Sequence, residues 1–424
     1  MPGEEPQEPL TGRVPPWWPP ATRRVRTTIV EFLRLEAAGG IVLLVGAIAA
    51  LVWVNTHAGS YHDFWDYNLT LGLGDFKIEE HLEGWVNDAL MVIFFFVVGM
   101  EIKRELVVGE LRDPKRAALP ILAAAGGMLV PAAIFARINL GGDGIDGWGI
   151  PVATDIAFVV GVLALFGRRL PAGLRVFLLT LAIADDIGGI AIIAIFYADD
   201  LSLPWLITAL AMIVLILTSQ RLRLGYVPLY LVLGLVMWYA TFESGVHATI
   251  AGVTLGLLTP ARPFGGRYVM EKLEHNLLPY SSFVIVPIFA LANAGVEVTP
   301  GALGDAFSER VAWGVVLGLV VGKFFGISLA TIAGLRLGAG RLPDGVHLGH
   351  VFGASLLAGI GFTVSLFIAE LSFEGQEVLL DEAKLGVLAG SLVAGAIGAV
   401  FLYVVSRVSP TSPELGSMES VVDG

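Results

Sequence analysis

Long apolar runs alternate with short polar segments along almost the whole chain. A helix needs about 20 mostly apolar residues to cross a bilayer, because the hydrocarbon layer is about 30 Å thick and each residue rises 1.5 Å. On that criterion the pattern predicts twelve spanning helices. They are expected at residues 37–54, 84–102, 117–137, 150–166, 173–197, 203–219, 227–242, 245–260, 279–298, 311–334, 350–373 and 384–406.

The basic residues test this count independently, because loops on the cytoplasmic side of a membrane carry an excess of Lys and Arg. With twelve spans and a cytoplasmic N-terminus, the cytoplasmic segments hold 21 of these residues and the outer loops hold four. A missing or misplaced span would scramble this alternation. The pattern therefore predicts that both termini lie in the cytoplasm.

The two ends of the chain differ from the apolar runs between them. The first 25 or so residues are rich in Pro and contain no apolar run, and the last dozen are also polar. Segments of that composition cannot bury enough apolar surface to fold. The sequence therefore predicts disordered cytoplasmic tails over residues 1–30 and 409–424, with a twelve-helix domain over 31–408.

Two of the polar connections have patterns of their own. Residues 68–78 alternate apolar and polar positions around Gly74 and Asp75, which predicts a β-hairpin outside the cytoplasm. An exposed hairpin could pair with a second copy and form a homodimer, and packing on its own subunit is the alternative. Residues 264–277 predict a short amphipathic helix on the cytoplasmic face.

Composition places the chain in a membrane and narrows its chemistry. It is 55% hydrophobic and 15% charged, with a mean hydropathy of +0.77, whereas soluble domains carry about 25% charged residues. The 52 glycines allow helices to approach closely in lipid. Cysteine is absent, which excludes disulfides, cysteine-ligated metals and thiol nucleophiles. We expect a lipid bilayer as its surroundings, and neither a cofactor nor a nucleic-acid partner.

Four charged residues lie well inside apolar runs, where each costs about 2.5–3.5 kcal/mol on membrane-insertion scales. They are Asp155, Asp185, Asp186 and Lys323. Ionisable residues within a membrane are functional by default. The alternatives are a purely structural aspartate pair and a lysine whose stem reaches an interface.

The neighbouring carboxylates of Asp185 and Asp186 suggest an exchange mechanism. Adjacent helical residues point about 100° apart, so one carboxylate can face a cavity while the other meets a neighbouring helix, where Lys323 could pair with it. Two such carboxylates cannot both ionise easily, so their titration is coupled. A hard cation such as Na⁺ favours oxygen ligands. The pair can therefore hold either protons or a cation.

Two spans carry signals for an interruption in mid-membrane. Thr154 and Asp155 could cap a helix in the fourth span, and an ordinary cap at the span entrance is the alternative for Asp155. Gly359, Gly361 and Thr363 weaken the helix of the eleventh span. These spans are the middle members of the triplets 3–5 and 10–12. Matched interruptions of this kind point to a transporter site at the interface of inverted repeats.

Eight segments carry a family resemblance that runs from about residue 37 to 406. They closely resemble the NhaA-type sodium/proton antiporters, which implies an all-α polytopic membrane protein of twelve helices, with inverted repeats and broken helices 4 and 11. The segments are VNDALMVIFFFVVGMEIKREL (86–106), IPVATDIAFVVGVLALFG (150–167), LAIADDIGGIAIIAIFY (181–197), SGVHATIAGV (244–253), LEHNLLP (273–279), PIFALANAGV (287–296), GKFFGISL (322–329) and GIGFTVSLFIAEL (359–371).

The resemblance also implies roles for the buried charges. Asp185 and Asp186 would form the site for the ion and the proton, with Lys323 in a salt bridge to Asp185. Thr154 and Asp155 would lie where the broken helices cross, and Asp155 would offset positive helix ends. Asp185, Asp186 and Thr154 are the expected ligands of the transported cation.

The activity implied is secondary transport in the cytoplasmic (inner) membrane, not enzyme catalysis. Na⁺ or Li⁺ would leave the cell in exchange for inward H⁺, with more than one H⁺ per Na⁺ and therefore with net charge movement. Alternating access would move the two triplets against the remaining helices. A proton-coupled carrier of a small organic solute is the alternative, although the chain offers no aromatic or arginine clamp for one.

Members of the family are often activated by rising pH through a cytoplasmic cluster. The matching positions are Glu101, Glu105, His247, Glu274 and His275. Among these residue types, only histidine titrates near neutral pH when unperturbed. Interfacial charges with ordinary solvation are the alternative interpretation.

Overall fold

The computed structural model describes residues 21–73, 76–166, 169–198, 201–262, 264, 268–301, 304 and 308–408. Most of the two predicted tails, and the turn of the predicted hairpin, lie outside the described residues. The tail and domain boundaries stay predictions. The first helix begins at Ala21, so residues 21–30 are helical in the structure.

Within the described residues, eight helices are long and apolar enough to cross a membrane. Each corresponds to one predicted span, and each exceeds about 27 Å in length at 1.5 Å per residue. The eight are α1 (Ala21–Trp65), α2 (Leu82–Val107), α3 (Pro114–Ile138), α5 (Ala172–Phe196), α6 (Leu203–Arg221), α9 (Val269–Asn293), α10 (Arg310–Arg336) and α12 (Glu377–Val408).

The fourth and eleventh spans are broken, as the sequence predicts. Helix α4a (Asp143–Val152, of 3-10 geometry) and helix α4b (Ile156–Leu165) meet at a bend of 44°. Helix α11a (Leu348–Leu357) and helix α11b (Phe362–Ser372) meet at a bend of 47°. The middle helix of each triplet, α4 in α3–α5 and α11 in α10–α12, is thus broken.

The seventh and eighth spans are shorter apolar helices, α7 (Val227–Phe242) and α8 (Thr249–Leu258). With them, each of the twelve predicted spans has a helical counterpart within the described residues. The prediction of an all-α polytopic membrane fold is therefore confirmed.

The predicted hairpin is present as strands β1 (Asn68–Leu73) and β2 (Phe76–His81), which pair antiparallel. The indole nitrogen of Trp85 donates to the Leu69 carbonyl oxygen at 2.8 Å and ties the hairpin to the start of α2. A homodimer through the hairpin stays a prediction.

The start of α9 corrects one expectation from the sequence. A separate amphipathic helix was expected over 264–277, followed by a span that begins at residue 279. Instead, one helical run extends from Val269 to Asn293. Glu274 and Met270 are buried on its inner face, with Glu274 bound to Arg104 of α2. The polar residues therefore pack inside the protein and do not end the span.

Close contact between α3 and α10 depends on glycine. A Cβ atom at Gly126 would overlap the carbonyl oxygen of Gly326, and a Cβ atom at Gly326 would overlap that of Gly126. Small residues of this kind let backbones touch in lipid, where the hydrophobic effect does not drive helices together. The contact fixes the position of Lys323, one turn before Gly326 on α10.

Segments of π-helix interrupt three spans within the described residues: Val86–Leu90 in α2, Ser281–Ile285 in α9 and Gly318–Gly322 in α10. Such π segments occur often at functional sites, because each widens the helix locally and redirects the residues that follow. The segment in α10 ends immediately before Lys323.

Candidate functional site

The two helix breaks meet in the interior and hydrogen-bond to each other. The Asp155 backbone N–H donates to the Ile360 carbonyl oxygen at 2.7 Å. The Thr154 hydroxyl donates to the Ala358 carbonyl oxygen at 2.8 Å. The interrupted segments of α4 and α11 are thus held together, and each satisfies backbone groups that the other helix leaves open.

Asp155 caps two half-helices with one buried carboxylate. Its Oδ1 accepts the Phe158 N–H of α4b at 3.1 Å. Its Oδ2 accepts from Thr363 of α11b twice, from the N–H at 3.1 Å and from the hydroxyl at 2.5 Å. A negative charge here faces the positive ends of both half-helices, which stabilises it. The side chain is only 3% exposed.

Ser391 of α12 completes the cap of α11b and was missed by the sequence analysis. Its hydroxyl oxygen accepts the Gly361 N–H at 3.3 Å and the Phe362 N–H at 3.2 Å. Gly361 stands at the N-cap position and has no side chain that could do this. A serine in an apolar span carries no signal of such a role, because its partners are 30 residues away in the sequence.

Lys323 lies against the same crossing from the side of α10. Its Nζ donates to Asp185 Oδ2 at 2.7 Å, to the Thr154 hydroxyl at 3.0 Å and to the Val152 carbonyl oxygen. An ammonium group has three donors, so all three are used. Val152 is the last residue of α4a, where the helix dipole favours a positive charge.

Asp186 lines a cavity of about 70 Å³. Glu101, Thr154, Asp155 and Thr363 contribute further oxygen atoms to the same cavity. A water molecule takes about 30 Å³ in the liquid, so an ion with little of its hydration shell fits the space. Asp186 therefore faces a cavity, whereas the adjacent Asp185 is paired with Lys323.

Asp185 is 1% exposed, and its Oδ1 has no hydrogen-bond partner among the described residues. A buried oxygen without a partner costs free energy, and a cation at this position would remove the cost. The described residues contain no group of three or more His, Cys, Asp or Glu side chains of the kind that holds a resident metal.

Three of the five predicted pH-sensing residues come together around Arg104 of α2. Its guanidinium binds Glu274 closely and lies 3.8 Å from Glu105 Oε1 and 3.9 Å from Glu101 Oε1. Glu101 also lines the cavity that contains Asp186. The cluster is therefore in contact with the candidate ion site.

The two histidines do not join this cluster. His275 follows Glu274 but is exposed. His247 precedes α8, which packs against α2 and runs parallel to it: Gly252 lies against Val92 and Gly256 against Gly99. His247 therefore lies near the beginning of α2, whereas Glu101 lies towards its end.

Comparison with known proteins identifies relatives over nearly the whole chain. A family model described as "Na+/H+ antiporter 1" matches residues 30–402. The Na(+)/H(+) antiporter NhaA 3 of Frankia alni is 46% identical over 91% of this chain and 90% of its own length. The Na(+)/H(+) antiporter NhaA of Proteus mirabilis is 47% identical over 88% and 96%, and that of Anaeromyxobacter sp. is 44% identical over 95% and 97%.

Proposed function

Because the chain belongs to the Na+/H+ antiporter 1 family, we propose that it exports Na⁺ or Li⁺ in exchange for inward H⁺ by competition of cation and proton at Asp185 and Asp186. It is a sodium/proton antiporter with the helices of a multi-pass membrane protein. We assign it to the cytoplasmic membrane, with both termini in the cytoplasm.

The cavity beside Asp186 is the observation that carries this proposal. The Asp186 carboxylate faces a space of about 70 Å³, while the next residue, Asp185, is bound by Lys323 and retains one oxygen without a partner. Carboxylate and hydroxyl oxygens are the ligands that hard cations prefer. Na⁺ bound by Asp185, Asp186 and Thr154 would displace the proton that the aspartate pair holds.

The surroundings of the site favour exchange over permanent binding. In a medium of low polarity, an aspartate with neither proton nor cation is costly. The site therefore stays loaded with one or the other while the protein changes conformation. Asp155 and Ser391 hold the crossing together during this change, in which the triplets α3–α5 and α10–α12 move against the remaining helices.

The cluster of Glu101, Glu105 and Glu274 around Arg104 is the proposed sensor of cytoplasmic pH, with His275 at its surface. Protonation of these carboxylates would weaken their ion pairs with Arg104, and Glu101 would transmit the change to the cavity. His247, which lies near the beginning of α2 and not at the end that carries Arg104, would act separately from this cluster.

The test is cation-driven proton exit from vesicles that contain the purified protein. The vesicles have an acidic interior with a trapped pH dye, and NaCl, LiCl or KCl is added outside. We expect Na⁺ and Li⁺, but not K⁺, to dissipate the proton gradient. Asp186→Asn should abolish the response. Asp143→Asn makes the same chemical change at an exposed position of α4a and should leave it unchanged.

Exchange by the Asp186→Asn variant at the parent rate would contradict the proposed site. Failure of every salt to move protons between pH 6 and 9 would instead favour the organic-solute alternative, for which competition assays with sugars and other solutes are the next step.

A further inference from the structure

A second, partly buried ion-pair cluster lies at the end of α2 opposite to Arg104. Lys384 Nζ is 2.5 Å from Glu370 Oε1 and 3.8 Å from Glu83 Oε1. The Lys384 side chain is only 8% exposed, so these pairs are screened less than surface pairs. The three residues stand on α12, α11b and α2, and none belongs to the site described above.

A layer of packed aromatic rings separates this cluster from the helix crossing. Phe367 of α11b lies 5.4 Å from Phe95 of α2 and 6.2 Å from Phe289 of α9, measured between ring centroids, and all three rings are buried. Next to them, Asn87 and Asn293 exchange hydrogen bonds of 3.0 and 3.1 Å. Helices α2, α9 and α11b are therefore in close contact on this side.

The two sides of the crossing differ in a way that matters for transport. Towards Glu101 there is a cavity whose lining includes the oxygen-bearing side chains of Asp186 and Asp155. Towards Lys384 there are apolar rings, through which an ion would pass at a large desolvation cost. Release of an ion on that side therefore requires α2, α9 and α11b to move apart.

Of the two ion pairs of Lys384, one lies within the moving triplet α10–α12, and the other joins this triplet to α2, which lies outside it. Lys384 and Glu370 both belong to the triplet α10–α12 and move together. Glu83 belongs to α2, outside both triplets, so its distance from Lys384 changes whenever the triplet moves against α2. The first pair is internal to a moving body, and the second connects two bodies.

We propose that the Glu83–Lys384 pair is a latch that holds this side of the transporter closed. The proposal rests on the alternating access described above. Opening breaks the pair between Lys384 and Glu83, while Glu370 retains Lys384 and keeps its charge compensated. Because Lys384 never loses both partners, opening does not leave a buried ammonium without a counter-charge.

The absence of cysteine from the chain provides a direct test. Met91 is fully buried and lies four residues after Asn87 and four before Phe95, so the three share one face of α2. Met91→Cys places a single thiol between the aromatic layer and the latch. The rate at which a membrane-impermeant maleimide, added to intact cells, modifies this thiol measures opening of the side that bears Glu83.

We expect Glu83→Gln and Lys384→Gln, each combined with Met91→Cys, to raise the modification rate about fivefold, in line with the loss of one partly buried ion pair. The double variant should be no faster than either single one, because both remove the same pair. Glu370→Gln should change the rate little, since its pair does not cross the boundary. Glu79→Gln makes the same change at an exposed position of β2 and is the control.

A modification rate for Glu83→Gln equal to that of the parent would overturn the latch, and so would an equal acceleration by Glu370→Gln. Glu83 is 29% exposed, so its substitution keeps the test valid even where Lys384→Gln folds poorly. The proton assay on Asp186→Asn is separate. An inactive Asp186→Asn variant together with unchanged maleimide rates would reject the latch and leave the proposed ion site intact.

Discussion

At the scale of single residues, the Lys323–Asp185 ion pair is the most deeply buried one among the described residues. Removal of one member of a buried ion pair leaves the other charge uncompensated and typically destabilises a protein by about 3–5 kcal/mol. Lys323→Ala also leaves the Val152 carbonyl oxygen without its donor. We therefore expect a clear fall in the thermal unfolding temperature of the purified protein in detergent.

The double variant Lys323→Met with Asp185→Asn separates stability from transport. Because the charges disappear together, most of the lost stability should return, as it does when buried pairs are replaced by neutral groups. Exchange of Na⁺ for protons should not return. Equal unfolding temperatures for Lys323→Ala and the parent would show that the ammonium is not needed for the fold.

Ser391 yields a second prediction at this scale. Loss of a capping hydroxyl typically costs about 1 kcal/mol, so Ser391→Ala should destabilise the protein by about that amount. It should also raise the Na⁺ concentration for half-maximal exchange, because α11b carries Thr363 of the cavity wall. Ser391→Thr retains the hydroxyl and should keep both values close to those of the parent.

Ser372→Ala is the matched control for Ser391→Ala. The Ser372 hydroxyl is also buried, but it donates to the Ile368 carbonyl oxygen within its own helix. An equal change in Na⁺ dependence for both alanine variants would contradict a special role of Ser391.

The residues that the sequence alone could identify are those whose charge is costly to place inside an apolar span. Asp155, Asp185, Asp186 and Lys323 are conspicuous because charge in an apolar run needs a reason, and the structure brings all four to one crossing. Arg104 was not identified, because a basic residue near the end of a span is ordinary. Its importance arises from Glu274, which lies 170 residues away.

At the scale of elements, the helix breaks depend on glycines with no space for a side chain. A Cβ atom at Gly359 would lie 2.9 Å from the Ala394 Cβ and would overlap the Leu319 carbonyl oxygen. Gly359→Ala should therefore displace α11 from α10 and α12 and reduce exchange at least about tenfold, a change in barrier of about 1.4 kcal/mol.

Gly189→Ala is the control for this prediction. Gly189 lies on α5 close to the aspartate pair, and nothing lies within 4 Å of the position that its Cβ would take. Alanine stabilises a helix interior by up to about 1 kcal/mol relative to glycine, so this variant should retain exchange. Full activity of Gly359→Ala would show that exchange tolerates the displacement of α11 from α10 and α12.

Element boundaries show where pattern-based prediction fails. The breaks in α4 and α11 were predictable, since Thr154, Asp155 and the glycines of span 11 are local signals. The beginning of α9 was not. Glu274 and His275 resemble a surface helix in the sequence, but only the position of Arg104 decides that Glu274 is buried. Tertiary contacts therefore override the local pattern there.

At the scale of the whole molecule, the charges at the crossing determine whether transport moves net charge. In the proton-loaded state, Asp186 is neutral and Lys323 compensates Asp185. When Na⁺ replaces one proton at Asp186, the charge of the site does not change. We propose that a second proton also leaves, from Lys323, which would make the Na⁺-loaded site one unit more negative. Under this proposal, two protons would enter the cell for each Na⁺ that leaves.

The proposed stoichiometry predicts that exchange is sensitive to membrane potential, and this sensitivity can be measured in the same vesicles. As Na⁺ enters and two protons leave, the interior becomes negative and opposes further exchange. One elementary charge across 100 mV corresponds to about 2.3 kcal/mol, or about fiftyfold in an equilibrium constant. With equal K⁺ on both sides, valinomycin removes the potential, so its addition should accelerate proton exit driven by Na⁺. An exchanger of one proton per Na⁺ builds no potential, and a rate unaffected by valinomycin would therefore exclude release of the second proton.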